Sequence, residues 1–179
     1  MIVVFKLYSE LPYGKMHSLN PEVITTAKLI GRTPGAVSRR LGNYASCDSE
    51  YTKDGKKGLE HWGKNVKEIW DEFSNDMERL VLEADAIMAD TYGYESGELI
   101  IDGTDSFEAF PIGWEKEQII TARRNQSFFR KAVLSSYGER CCITGIEEKS
   151  LLVASHIKPW KDSDPRTERT NPRNDSCLN

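Results

Sequence analysis

Apolar positions recur at helical spacing along most of the chain, and at a period of two only near its end. Val4, Leu7, Tyr8 and Leu11 fall on one helical face. The β-branched run Ile2-Val3-Val4 would also suit a strand, but the wider spacing favours a helix that Pro12 and Gly14 end. Asn20-Pro21-Glu22 predicts the next helix start: asparagine caps, and proline fits the first helical position, where its missing N–H costs nothing. Val23, Ala27 and Ile30 make that helix's stripe, with Gly31 as its stop. Thr33-Pro34 repeats the start signal, and Val37, Leu41 and Tyr44 carry the following stripe. Two short helices joined by Gly31-Arg32-Thr33 form a helix-turn-helix pattern.

The text from Cys47 to Gly63 is polar and rich in Lys, Asp and Gly, which predicts a loop. Val66, Ile69, Trp70, Phe73, Met77 and Leu80 then predict one long amphipathic helix. From about Asp90 to Trp114, Tyr, Gly, Asp, Ser and Pro dominate, with a short strand-like piece at Leu99-Ile100-Ile101; a domain linker is expected there. A further helix is predicted from about Glu115 to Tyr137, with Phe129, Val133 and Tyr137 in register and Gly138 as the stop. The period then changes to two. Cys141–Thr144 and Leu151–His156 are predicted as strands joined by a turn over Gly145–Ser150. The tail from Lys158 is polar, with Pro159, Pro165 and Pro172.

Charge and composition narrow the reading. The net charge of −4 is the wrong sign for a simple nucleic-acid coat. It is unevenly spread: residues 1–120 hold 13 Lys+Arg against 21 Asp+Glu, and residues 121–179 hold 11 against 7. Any DNA partner must therefore meet local basic patches. No apolar run approaches the roughly 18 residues that span a bilayer, and the charged start is no signal peptide, so a cytoplasmic protein with no membrane partner is expected. Cys47, Cys141, Cys142 and Cys177 include no CxxC pair. A zinc site from Cys141, Cys142, Cys177 and His156 has poor support, because adjacent strand residues point to opposite faces. Reduced, structural cysteines are expected.

The second predicted strand ends in Ala154-Ser155-His156-Ile157-Lys158-Pro159-Trp160, a histidine at a hairpin strand's end followed by a polar loop with asparagines. With Arg124-Asn125-Gln126-Ser127-Phe128-Phe129-Arg130-Lys131, Tyr137-Gly138-Glu139-Arg140-Cys141-Cys142-Ile143-Thr144-Gly145 and Asn171-Pro172-Arg173-Asn174, this text resembles the HNH endonuclease family over residues 123–179. The resemblance implies a ββα-metal finger, phosphodiester hydrolysis and a divalent metal, Mg²⁺ or Mn²⁺. It implies that His156 is the general base toward water, as a neutral imidazole can be at cellular pH, and that Asn174 orients the histidine region. Two departures stand out. Asp175 follows Asn174 where the family usually has glycine. Ser155 precedes His156 where many members carry an aspartate, and serine is a poor ligand for a hard cation. The finger's final helix is expected beyond Asn179, in a longer natural chain, and its metal ligands are left unassigned.

The front of the chain, Pro12-Tyr13-Gly14-Lys15-Met16-His17-Ser18-Leu19-Asn20-Pro21 with Gly31-Arg32-Thr33-Pro34-Gly35-Ala36-Val37-Ser38, is similar to the helical region ahead of some HNH restriction-type enzymes. A helix-turn-helix places the start of its second helix in the major groove. The candidates for DNA contact are then Arg32, Thr33, Ser38, Arg39 and Arg40, because arginine grips phosphate and guanine edges. Lys158 and Trp160 suit the DNA backbone and equally suit packing and solvating their loop. The expected architecture is α+β: a helical, helix-turn-helix-like domain over 1–88, a linker over 89–114, and an HNH domain over 115–179 made of a helix and a β-hairpin. The expected function is metal-dependent cleavage of double-stranded DNA, in restriction or defence, with a homodimer left open. The alternative is a non-catalytic DNA-binding or regulatory protein with a degenerate nuclease remnant.

Overall fold

The computed structural model describes residues 1–53, 55–59, 63–92, 116–159, 162–164 and 175–178. The strand-like piece at 99–101, most of the expected linker, Trp160 and Asn174 lie outside these residues.

The predicted helix starts are built as read. α1 (Ile2–Glu10) leads into a 3-10 turn at Tyr13–Lys15. α2 (Pro21–Leu29) is capped by Asn20, whose side chain accepts the Glu22 N–H at 2.8 Å. Gly31 ends it at φ 61°, with Arg32 N–H on the Ala27 carbonyl at 2.8 Å and Gly31 N–H on Lys28 at 3.2 Å. This double bond pattern satisfies carbonyls the helix leaves open, and the left-handed position suits glycine. Two residues later Thr33 caps α3 (Pro34–Cys47) by accepting the Ala36 N–H. Beyond it, α4 (Ser49–Thr52) is a single turn within the expected loop.

The single long helix expected over 66–80 is two helices, α5 (Lys64–Phe73) and α6 (Met77–Tyr92). The break falls at Ser74-Asn75-Asp76. The Asp76 carboxylate accepts the Arg79 N–H at 3.1 Å and so caps a new helix rather than continuing the old one. The apolar spacing crosses this break unchanged, so periodicity alone does not reveal it.

The main core gathers Val4, Phe5 and Leu7 of α1 and Leu11 just after it with Val23 and Ala27 of α2, Val37, Leu41 and Tyr44 of α3, Val66 and Phe73 of α5, and Leu80 of α6. Phe5 stacks on Tyr44 at 4.7 Å and meets Trp70 at 5.2 Å, at separations that favour aromatic pairs.

α7 (Lys116–Ser136) carries two apolar stripes, about 100° apart. Phe128 and Ala132 pack with Val81 of α6. Phe129, Val133 and Leu134 pack with Cys141, Leu152 and Ala154. The helix stops at Gly138, φ 62°, with Glu139 N–H on the Leu134 carbonyl at 2.7 Å. Tyr137, expected in the stripe, lies past the last helical turn and is exposed.

The hairpin forms from other partners than expected. Cys141–Thr144 is not a strand. Cys141 N–H donates to the Ile146 carbonyl at 2.9 Å and Gly145 N–H returns to the Cys141 carbonyl at 3.0 Å, so the chain reverses at once. Cys141 is buried beneath Leu152 while Ile143 is 78% exposed, and the alternation therefore fails to pack a face. Lys149–Leu151 is a 3-10 turn, and β1 is shortened to Val153–His156. Its partner is β2 (Asp175–Leu178), antiparallel, with Val153 opposite Leu178 and His156 opposite Asp175.

Candidate active site

His156 closes β1 in the last register pair of the sheet, opposite Asp175. Strand alternation turns Ala154 and His156 toward α7. Ala154 joins the cluster of Phe129 and Val133 there. The His156 imidazole lies flat on the Phe129 ring, with centroids 4.1 Å apart and planes within 4°. It is half-buried, with the Phe129 ring against one of its faces.

The next residue of α7 holds the backbone that leads into β1. The Arg130 guanidinium donates to the Leu152 carbonyl at 2.7 Å and to the Lys149 carbonyl at 3.0 Å. A charged donor sharing two carbonyls is a strong, directional tie. Sequence reasoning singles out neither Phe129 nor Arg130 as a site residue, although both lie in the Phe128-Phe129-Arg130 string. Phe129 reads as core there, and an arginine that grips backbone looks like any other arginine.

Glu139 supplies a third tie. Its carboxylate pairs with Lys149 at 2.5 Å and also with Lys15, from the 3-10 turn after α1. Burial pushes this carboxyl up, but hydrogen bonds and charge from Lys149 and Lys15 outweigh it and hold it below its ordinary value. Lys15 adjoins Met16, whose carbonyl accepts the Ser38 hydroxyl of α3 at 2.7 Å. A line of polar contacts thus runs from α3 to the turn that leads into β1.

The other candidates fall as follows. Lys158 is exposed, and its carbonyl accepts the Ser163 hydroxyl at 3.0 Å. Arg32 is exposed in the turn before α3, Arg39 is exposed within α3, and Arg40 is half-buried. Thr33 spends its hydroxyl on the helix cap. Ser38 spends its own on Met16, which makes it a strut inside the helical unit. The DNA-contact candidates of the front helices, in the turn before α3 and on α3, and His156 on β1 therefore sit on different elements.

A nuclease centre needs anionic or imidazole ligands gathered on a metal. Among the described residues no group of three His, Cys, Asp or Glu side chains is placed to hold one. Ser155, beside His156, brings only a hydroxyl. The described residues thus do not fit a divalent ion by themselves.

No curated protein and no solved structure matches the chain. Residues 141–179 match the family model described as HNH endonuclease. That match covers the Cys141 turn, β1 with its terminal histidine, and β2, while α1–α7 precede it. Over these residues the chain is similar to the HNH endonuclease family.

Proposed function

We propose that the protein is a divalent-metal-dependent endonuclease that cleaves double-stranded DNA, in a restriction or defence setting. One observation carries the reading: within the family-matched segment, the one described histidine closes β1 and is presented half-exposed by a rigid support. In this reading His156 takes a proton from the attacking water. A base so placed contributes roughly 10²–10⁴-fold. A divalent ion, Mg²⁺ or Mn²⁺, would supply charge stabilisation at the phosphate, held by ligands beyond those described. Asn174 orients the histidine region, and Lys158 with Trp160 borders the DNA backbone. The helical unit over 1–88 serves as a DNA-binding domain through Arg32, Arg39 and Arg40 of the α2–α3 pair, and the HNH domain follows from residue 115.

A non-catalytic DNA-binding reading draws on one observation, the Ser155 that stands where a carboxylate ligand would help most. Nicking of supercoiled plasmid separates the two. The whole protein should cut with Mg²⁺ or Mn²⁺, stop with chelator, and lose cleavage at least a hundredfold, on the order of a missing base, in His156→Ala. Full-rate cutting by His156→Ala overturns the nuclease reading, and binding without any metal-dependent cutting supports the non-catalytic one.

A further inference from the structure

We infer that Phe129 is a positioning residue for His156: the α7 phenyl ring sets the plane in which the imidazole takes the proton from water. The inference rests on the nuclease reading of His156. The two rings are nearly coplanar, 4° apart, at a centroid separation of 4.1 Å. Imidazole nitrogens make their hydrogen bonds in the ring plane, at right angles to a stacked neighbour. A face-on phenyl therefore restricts rotation about the side-chain torsions without competing for either nitrogen.

The support is itself rigid. Phe129 is buried, and it sits in one cluster with Val133, Leu134, Cys141 and Leu152. Its neighbour Arg130 fixes the same short segment by two carbonyls, Lys149 and Leu152, just before β1. Two consecutive residues of one helix thus act on the strand from different sides: the arginine places the backbone, and the phenylalanine places the ring at the strand's far end. An aliphatic residue at 129 would fill the core but present no flat face. Displacement of a reacting group by about 1 Å can cost roughly a hundredfold in rate.

The test compares four variants with the wild-type protein on supercoiled plasmid with Mg²⁺ or Mn²⁺, below the melting temperature of each. Phe129→Leu should lower kcat by about tenfold to a hundredfold with little change in KM. Phe129→Tyr, which keeps the flat face, should restore most of it. Val133→Ala removes fully buried volume from the same cluster while keeping the Phe129 ring, and should cost stability while leaving kcat near wild type. His156→Ala should be dead. Proton NMR gives a readout independent of activity: the His156 ring protons, shifted upfield by the phenyl ring current, should move downfield in Phe129→Leu and stay in Phe129→Tyr. An unchanged kcat in Phe129→Leu beside a dead His156→Ala overturns the inference and leaves the nuclease reading standing. An equal kcat loss in Val133→Ala also overturns it, since the effect would then be core packing. His156→Ala cutting at full rate removes the nuclease reading and the inference with it.

Discussion

Glu139 shows how much one residue can be asked to do. It stands at φ 59°, directly after Gly138 at φ 62°. An L side chain in this region costs roughly 1–2 kcal/mol, so a second glycine would relax the turn. What the glutamate provides instead is a carboxylate held by Lys149 and Lys15. Because its carboxyl is depressed below the ordinary value of 4.5, its stabilisation is complete above that pH and disappears as pH falls through the lower folded value. The two lysine side chains are 57% and 43% exposed, which limits the gain to about 1 kcal/mol. Glu139→Gln should therefore cost about that much in urea denaturation at pH 7, and the gap should close in strong acid. A gap that persists there would point to poorer packing of the new side chain and not to the missing charge.

At the scale of elements, the α2–α3 pair is set by adjacent signals that each satisfy open helix ends: Gly31 closes one helix and Thr33 opens the next. The two-residue spacing pins Arg32 to the turn and leaves Arg39 exposed on α3. Arg40 is half-buried and is the poorer probe of DNA binding. We expect the double change Arg32→Ala and Arg39→Ala to weaken duplex binding and to reduce the slope of log K against log salt by about 0.9 for each phosphate no longer neutralised. Filter binding or fluorescence anisotropy over a salt series reads both. Unchanged affinity with unchanged slope removes α3 from the DNA interface.

Across the whole molecule, α7 is the joint. One stripe binds it to α6, the other to the family-matched segment. Its junction with the front helices is partly ionic: Lys6 of α1 donates to Asp85 of α6 at 2.9 Å and lies 3.9 Å from Glu10, while Arg124 of α7 lies 3.9 Å from Asp85. Burial lowers the Lys6 amine, but Glu10 and Asp85 outweigh it and the net direction is up. Removing one partner of such a group leaves the others buried without their counter-charge. Lys6→Met should cost roughly 3 kcal/mol, and Lys6→Met with Asp85→Leu should recover part of that, because Glu10 and Arg124 keep their charges. Chemical denaturation of both variants checks it. A double variant no better than the single would show that the cost is packing of the lysine stem. Among the described residues no helix is long and apolar enough to cross a membrane.

The sequence alone determined what depends on near neighbours. Asn20 before Pro21, Thr33 before Pro34, and Gly31 and Gly138 after their helices specify those boundaries, because a cap or a left-handed glycine acts within one turn of chain. The combined stretches Arg124–Lys131, Tyr137–Gly145, Ala154–Trp160 and Asn171–Asn174 likewise carried the family resemblance, and residues 141–179 match that family's model. The tertiary structure decided what depends on distant partners. Alternation at Cys141–Thr144 suits a strand, but Cys141 is drawn under Leu152 and the true partner of β1 is Asp175–Leu178. The apolar period through 66–80 cannot register the Asp76 cap that divides α5 from α6. Two stripes on α7 read as one, since only packing tells Phe128 from Phe129. Nor does any local pattern place a phenyl ring flat against a histidine 27 positions away in sequence. That stack exists because strand alternation and helix period meet across the same small core, which no single segment contains.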